Sequence, residues 1–214
     1  MCKPNQVNSL QDLTNIAQCH IASFPGSFST KLGLAYNIKS LEWFLSGDNR
    51  FLYCIEENKK IIGYCGGFQS KRIGDGSTSG MMQHAMKEAA YGMFKKPWLF
   101  FQKDVIKFYP LILKNIISKA GFKKGAVETG QSKEIKISSV GLVVIGIHPS
   151  YRGKGYFEAL MKSFEEESKK RNASKMTLSV KATNARAIAA YKKMGWQISS
   201  ASKEALEMYK PVNA

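Results

Sequence analysis

The residues with the clearest chemical potential lie in the last third of the chain. An apolar run, Val140–Ile147, ends at His148-Pro149, and the glycine-rich segment Arg152–Phe157 then opens an amphipathic stretch. A strand that passes through such a turn into a helix is suited to binding an anion, because glycine lets the backbone approach closely and the helix N-terminus favours negative charge. The sequence therefore predicts a turn that binds phosphate mainly through its main-chain N–H groups.

A second group of residues follows roughly thirty positions later. Its members fit the pattern Asn-x-x-Ala-x-x-x-Tyr-x-x-x-Gly-Phe/Trp without a gap: Asn184, Ala187, Tyr191, Gly195 and Trp196. The first segment fits the pattern Arg/Gln-x-x-Gly-x-Gly/Ala through Arg152, Gly153, Lys154 and Gly155, and departs from it at Phe157, where Gly or Ala is usual. With both patterns in this order, the chain resembles the GNAT acetyltransferase superfamily, whose members bind acetyl-CoA and acetylate an amine.

The resemblance implies an α/β (α+β) architecture, the GNAT fold, in which one mixed, mostly antiparallel sheet has its fourth and fifth strands splayed apart. The order of predicted elements agrees, because two helices, the second near 30–45, and a strand hairpin precede strands near 137–147 and 175–181. We expect a single domain over residues 1–214 with a helical, basic insertion at 70–136, near the acceptor site. From 71 to 136 the chain has thirteen Lys or Arg residues against five Asp or Glu.

The resemblance also assigns cofactor-binding roles. The turn residues Arg152, Gly153, Lys154, Gly155, Tyr156 and Phe157 would hold the pyrophosphate of acetyl-CoA. Main-chain groups of Ile145, Gly146 and Ile147 would bind the pantetheine amides and polarise the thioester carbonyl, and Asn184 would contact the cofactor. The residues themselves leave plainer alternatives open, namely solvated side chains for Arg152 and Lys154, core positions for the strand residues and a helix cap for Asn184.

Tyr191 is the catalytic residue that the resemblance implies, as the acid that protonates the leaving CoA thiolate. It lies seven residues, or two helical turns, after Asn184 and so shares its face of the helix. A phenol pKa near 10 suits proton transfer to a thiolate, although a core tyrosine is the alternative. The general base is not evident: Glu128 and Glu134 precede the fourth strand as candidates, His148 is interpreted as structural, and the amine can also lose its proton to water.

The charge of the chain is strongly positive, since 32 Lys and Arg residues against 16 Asp and Glu give a formal net charge of +16 in 214 residues. Such a charge favours anionic partners, among them CoA phosphates, a nucleotide-linked sugar, nucleic acid and an anionic membrane surface. We expect no nucleic-acid partner, because neither an aromatic strand platform nor a groove-reading helix is evident. No apolar run approaches the ~18 residues that span a bilayer, which leaves a peripheral membrane contact open.

The cysteines and the N-terminus bear on the cellular setting. The four cysteines contain no C-x-x-C pair and form no zinc-type cluster with the three histidines, so we expect no metal and a reduced environment. The polar N-terminus indicates no signal peptide. A cytoplasmic location is the resulting expectation.

These features predict a GNAT-type N-acetyltransferase, an acyltransferase that moves the acetyl group from acetyl-CoA to a primary amine by direct attack in a ternary complex. Because the insertion is basic, the expected acceptor is an anionic small molecule, such as a nucleotide- or lipid-linked amino sugar. The alternatives are a protein N-terminus or lysine as the acceptor, and a non-catalytic CoA-binding module that docks on another molecule. The oligomeric state is not indicated.

Overall fold

The computed structural model describes residues 2–70, 77–101 and 138–212 of the chain. The strands in these ranges are β1 (Asn5–Gln6), β2 (Arg50–Glu57), β3 (Lys60–Ser70), β4 (Ser139–Ile147), β5 (Lys175–Lys181), β6 (Gln197–Ala201) and β7 (Ala205–Pro211). They form one sheet in the order β1-β2-β3-β4-β5-β7-β6. Within it β4 and β5 are parallel neighbours and the other neighbouring pairs are antiparallel. The predicted mixed, mostly antiparallel sheet is therefore confirmed.

Helices pack on both faces of this sheet. The described helices are α1 (Asp12–Ser23), α2 (Phe28–Leu32), α3 (Leu34–Glu42), α4 (Ser77–His84), α5 (Met86–Lys95), α6 (Tyr156–Lys170) and α7 (Ala185–Lys193). Short 3-10 turns cover Trp43–Leu45, Pro97–Phe101 and Pro149–Tyr151. No helix in the described ranges is long and apolar enough to cross a membrane.

The strand β2 shows why two cores form. Side chains alternate between the faces of a strand, and here every residue from Phe51 to Ile55 is buried. Phe51, Tyr53 and Ile55 belong to the core that includes Leu160, Met161 and Phe164 of α6. Leu52 and Cys54 belong to the core that includes Leu13, Ile16 and Ala17 of α1. The sheet is therefore covered by α6 on one face and by α1 on the other.

A buried polar cluster fixes the position of α6 on the sheet. The carboxylate of Glu167, 8% exposed, accepts a hydrogen bond from the Tyr53 hydroxyl of β2 at 3.0 Å and one from Arg171 Nε at 2.8 Å. The same guanidinium donates to the main-chain carbonyl of Asp48 at 2.7 Å. Because a buried carboxylate needs such partners, the cluster ties the end of α6 to β2 and to the loop before it.

The predicted second helix near 30–45 is divided in the structure. Gly33 lies between α2 and α3 with φ +104°, a conformation that ends one helix and starts the next. Helix α5 packs against this break so closely that a Cβ on Gly92 would lie 2.6 Å from the carbonyl oxygen of Leu32. A tertiary contact between α2 and α5 therefore lies at the break, and helical periodicity does not reveal it.

The predicted insertion at 70–136 is described only in part. Residues 77–101 form α4, α5 and a 3-10 turn. Residues 71–76 and 102–137 lie outside the described ranges, and with them Glu128 and Glu134 and most of the predicted basic segment. The role of the insertion in acceptor choice therefore stays a prediction.

Candidate active site between β4 and β5

The parallel strands β4 and β5 pair over only part of their length. Ser139–Leu142 pairs with Lys175–Leu178, and no further β4–β5 pairs follow among the described residues. Beyond Leu142, β4 continues in register with β3 as far as Ile147, and β5 continues with β7 as far as Lys181. The two strands therefore diverge toward their C-terminal ends and leave a wedge-shaped gap in the sheet.

A β-bulge lies where the divergence begins. Leu142 pairs with Gly67 and Val144 pairs with Gly66, so that Val143 is an extra residue on β4. A bulge bends its strand and increases the local twist, and bulges occur often beside active sites. Because the last β4–β5 pair is at Leu142, the bulge explains physically why β4 turns away from β5 at this point.

The direction of main-chain groups in β4 determines what the gap offers a ligand. The N–H of His148 donates to the carbonyl of Ile62 on β3 at 2.8 Å. Antiparallel strands alternate between residues whose N–H and C=O groups face the partner and residues whose groups face away. Counting back from His148, Gly146 faces β3, whereas Ile145 and Ile147 face the gap. The Ile147 carbonyl accepts from Arg152 Nε at 3.1 Å, in agreement with this assignment.

The three predicted strand residues therefore contribute differently. Ile145 presents its N–H and C=O to the gap, and Ile147 presents its N–H. Gly146 uses its own main-chain groups on β3, and its importance is spatial. A Cβ at this position would lie 2.7 Å from the ring of Tyr64 and 3.1 Å from the ring of Phe24. Glycine is required there because these two rings pack directly on the strand.

The turn after β4 has the geometry of an anion site. Gly153 and Gly155 have φ +78° and φ +80°, in the left-handed region that side chains disfavour. Gly155 is the N-cap of the fifteen-residue helix α6, and no side chain caps that helix end. The first N–H groups of α6 are therefore left for a ligand, and the helix dipole favours an anion there.

The side chains of this turn have structural partners. Arg152 Nη2 donates to the Ser23 carbonyl at 2.9 Å, so that its guanidinium links α1 to the end of β4. Lys154 is exposed, with its Nζ 5.3 Å from the centre of the Tyr151 ring. The buried Tyr156 donates to Glu57 Oε1 at 2.7 Å, and this hydrogen bond raises the pKa of Tyr156 to about 12. These side chains thus have partners within the protein, and binding of a ligand by the main chain of the turn stays a prediction.

Phe157 is a large residue at a motif position where Gly or Ala is usual, and its contacts in the fold account for its size. Its half-buried ring meets the ring of Tyr191 edge-on, with 5.5 Å between the ring centres. Tyr191 also contacts Trp196, with 5.9 Å between centres. The large residue at 157 therefore packs against the predicted catalytic tyrosine and restricts the positions its ring can take.

Tyr191 lies in an environment that keeps its hydroxyl protonated. The residue is 6% exposed. Burial raises the pKa of its phenol, and the nearby thiol of Cys65, which lies opposite Ile145 on β3, raises it further. A neutral phenol can give a proton but is a poor base. Asn184, two turns earlier, is the N-cap of α7 and accepts from the Ala187 N–H at 3.2 Å.

A small cavity of about 80 Å³ lies on the α1 face of β4, beside Val144. Its described lining contains no Lys, Arg, Asp or Glu, and it consists of His20, Ser29, Tyr36, Asn37, Ser40, Leu41, Phe44, Met81 and Val144. Burial lowers the pKa of His20 to about 4, so the imidazole is neutral near pH 7. The cavity is therefore uncharged and mostly apolar.

A directional chain of hydrogen bonds fixes the tautomer of His20. Thr30 Oγ1 donates to the Phe24 carbonyl at 2.8 Å, so it accepts from Ser27 Oγ. Because the one hydroxyl proton of Ser27 is used in this bond, Ser27 Oγ accepts from Ser29 Oγ. Ser29 Oγ must then accept from His20 Nε2, 2.8 Å away. The remaining nitrogen, Nδ1, accepts from the hydroxyl of the fully buried Tyr64. The chain joins α1, α2 and β3 around the cavity.

We expect His20 to make the protein less stable as the pH falls from about 6.5 to about 4. The unfolded chain binds a proton on His20 in this window and the folded chain does not, so up to about 3 kcal/mol of unfolding free energy is lost. Urea unfolding at pH 7, 5.5 and 4.5 measures the slope, which should flatten in His20→Gln. A slope in His20→Gln that equals that of the wild type would contradict the assignment.

Comparison with known proteins places these features in context. Residues 121–196 match the model of the acetyltransferase (GNAT) family, and no curated protein matches the chain in a sequence search. The ribosomal-protein-S18-alanine N-acetyltransferase of Escherichia coli is similar in fold, with 14% identity, a TM-score of 0.54, and 100% of this chain and 96% of that chain covered.

Two further solved structures have the same fold. The PaiA N-acetyltransferase of Thermoplasma acidophilum in complex with coenzyme A has 12% identity and a TM-score of 0.54, with 97% of this chain and 98% of that chain covered. An N-acetyltransferase of Staphylococcus aureus Mu50 has 10% identity and a TM-score of 0.57, with 100% and 99% covered. At these identities the likeness concerns the fold. Within the described ranges, no group of three or more His, Cys, Asp or Glu residues is placed to hold a metal.

Proposed function

We propose that the chain, whose residues 121–196 match the GNAT family model, is a GNAT-type acetyltransferase that transfers the acetyl group of acetyl-CoA to the primary amine of a small molecule by direct attack in a ternary complex. The observation that carries the proposal is the convergence of three features on one gap. These are the splay of β4 from β5, the uncapped N-terminus of α6 behind Gly155, and the protonated Tyr191.

The gap suits the three parts of acetyl-CoA. The pyrophosphate would lie on the main-chain N–H groups from Gly153 to Phe157, where the helix dipole adds to the attraction. The pantetheine amides would pair with the main-chain groups of Ile145 and Ile147 that face the gap. Beyond Leu142, the main-chain groups of β4 that face the gap do not pair with β5. A ligand chain that contains amides can pair with these groups in the manner of an added strand.

The proposed reaction requires one bond to form and one to break. The amine nitrogen attacks the carbonyl carbon of the thioester, and an N–H of β4 stabilises the oxyanion that develops. When the C–S bond breaks, the CoA sulfur takes a proton from the Tyr191 hydroxyl. The amine loses a proton to solvent, and the Tyr191 phenolate regains one from solvent. Burial keeps the phenol protonated until the thiolate forms, and it also makes the phenol a weaker acid than an exposed tyrosine.

The uncharged cavity beside Val144 supports attack by a neutral amine. A protonated ammonium would find no carboxylate among the described lining residues, so the environment favours the unprotonated form that can act as the nucleophile. The volume of about 80 Å³ has room for a few non-hydrogen atoms, such as a primary amine and its first carbons. We propose that the reacting end of the acceptor enters here, with the rest of the molecule outside.

An acceptor screen tests the proposed function. Purified protein with acetyl-CoA would be assayed for release of free thiol with amino sugars, their nucleotide conjugates, polyamines and peptides, and the acetylated product identified by mass spectrometry. We expect turnover with a small primary amine. Turnover only with peptides would move the acceptor to a protein N-terminus or lysine, and acetyl-CoA binding without transfer to any class would favour a non-catalytic module.

A further inference from the structure

A second and larger cavity lies on the other side of α1. This groove, which we call the hairpin groove, has a volume of about 480 Å³ and runs between one face of α1, the β2–β3 hairpin and the end of β4. Its lining residues are Asn15, Gln18, Cys19, Ala22, Lys59, Lys60, Ile61 and His148. A volume of this size is typical of small-molecule sites.

The charged side chains on the described lining of the hairpin groove are cationic. Lys59 and Lys60 line it and are exposed, and none of its described lining residues is Asp or Glu. Burial has the largest effect on the pKa of Cys19, which it raises, and on the pKa of His148, which it lowers. The charges of Lys60 and Arg152 act on both groups as well, in each case to lower the pKa. The amides of Asn15 and Gln18 add neutral hydrogen-bond donors on the facing helix.

The hairpin itself holds Lys59 in an unfavourable conformation. Asn58 and Lys59 have φ +50° and φ +60°, as in a two-residue turn of type I′. Asn tolerates this region and Gly is preferred at the second position, whereas lysine is disfavoured there. Strained residues persist where the surrounding structure or a function requires them. The sequence thus keeps a cation at the rim of the groove in a conformation that glycine or asparagine would adopt more easily.

We propose that the hairpin groove binds a phosphate monoester group through Lys59 and Lys60. A monoester carries close to two negative charges at neutral pH, which two ammonium groups match, whereas a single carboxylate would leave one of them unpaired. The amides of Asn15 and Gln18 donate to the remaining phosphate oxygens. The groove would be a second anion site besides the turn of Gly153 and Gly155. The proposal rests on the proposed function and extends it, because it names a phosphate monoester as a group that the protein selects in its ligands.

The position of the groove relative to the gap allows two sources of this phosphate. His148 lines the groove and directly follows Ile147, whose N–H faces the gap, and Arg152 connects the groove side of α1 to the end of β4. For the phosphate to belong to a ligand of the gap, that ligand must extend past this corner to the lysines. The phosphate belongs either to the nucleotide end of the cosubstrate or to an acceptor that carries both an amine and a phosphate.

Calorimetry distinguishes these sources without any measurement of acetyl transfer. In the first arm, CoA and dephospho-CoA are titrated into the wild type and into the double variant Lys59→Asn with Lys60→Gln. In the second arm, phosphoethanolamine, a primary amine with a phosphate monoester, is titrated into protein saturated with dephospho-CoA. The double variant Lys162→Gln with Lys169→Gln loses the same charge from the exposed face of α6 and serves as the matched control.

We expect the groove variant to lose about tenfold in affinity in one arm, which corresponds to the removal of two charge-assisted contacts, while the control stays within about twofold of the wild type. A loss of the preference for CoA over dephospho-CoA assigns the phosphate to the cosubstrate, and a loss of phosphoethanolamine binding assigns it to the acceptor. Equal affinities for the wild type, the groove variant and the control in both arms would overturn the proposal.

Thermal unfolding of the single variant Lys59→Asn adds an independent readout. Because asparagine adopts the left-handed conformation at lower cost, the melting temperature should rise by about 2–4 °C while phosphate affinity falls. A lysine retained for folding alone would give a lower melting temperature and unchanged affinity, and that result would also contradict a binding role. Failure of the acceptor screen would leave both measurements interpretable, since neither depends on turnover.

Discussion

Replacement of Tyr191 by Phe is expected to lower kcat by about 10²- to 10³-fold and to leave the affinity for acetyl-CoA nearly unchanged. The hydroxyl acts only when the C–S bond breaks, so its loss affects the transition state and not the bound ground state. The phenylalanine ring keeps the contacts with Phe157 and Trp196, so the fold around the gap should persist. Water can supply part of the missing proton, which limits how large the effect can be.

The measurement is steady-state kinetics with an acceptor from the screen, together with calorimetry of acetyl-CoA binding. Tyr209→Phe is a matched control, because it removes the hydroxyl of a tyrosine on β7 that bonds to Gln197 at 2.7 Å and does not belong to the gap. We expect this control to retain wild-type turnover. An unchanged kcat in Tyr191→Phe, with chemistry shown to be rate-limiting, would reduce Tyr191 to a core residue.

Replacement of Gly155 by Val is expected to weaken acetyl-CoA binding by at least about 100-fold. Gly155 has φ +80°, and a β-branched residue reaches this region only at a cost of roughly 1–3 kcal/mol. The chain would relieve that strain by rotating the first N–H groups of α6 away from the phosphate, and the side chain would occupy the space the ligand needs. Affinity should therefore fall even if the protein remains folded.

Calorimetry of acetyl-CoA binding measures this effect, and circular dichroism checks that the variant is folded. Gly33→Val is the matched control, because Gly33 also has a positive φ, +104°, and a Cβ there would meet no atom within 4 Å. Gly33 lies between α2 and α3, away from the turn. The control should lose stability but keep its affinity. Undiminished binding in Gly155→Val would count against the turn as the pyrophosphate site.

The parts of the molecule that the sequence predicts best are those with local causes. The strand β5 has buried residues at Met176, Leu178 and Val180 in alternation, and the turn of Gly153 and Gly155 follows from glycine chemistry within a few residues. The family resemblance implies the divergence of β4 from β5, and the structure adds its physical cause in the bulge at Val143. The strand and the turn are specified by neighbours in the chain.

The parts that the sequence does not predict depend on contacts between distant residues. Phe157 departs from the family pattern, and its packing on Tyr191 depends on the relative placement of α6 and α7. The sequence indicates a phosphate-facing or solvated cation at Arg152, yet its guanidinium bonds the carbonyl of Ser23, 129 positions earlier. The hydrogen-bond partner of His20 on β3 is Tyr64, 44 positions later. Composition and spacing carry no information about such pairs.

The central claim is that acetyl-CoA lies in the gap between β4 and β5, and a crystal structure of the acetyl-CoA complex tests it most directly. We predict the pyrophosphate on the main-chain N–H groups from Gly153 to Phe157, a pantetheine amide paired with Ile145, and the sulfur beside the Tyr191 hydroxyl. Acetyl-CoA bound elsewhere on the molecule, or bound with its sulfur remote from Tyr191, would contradict the account.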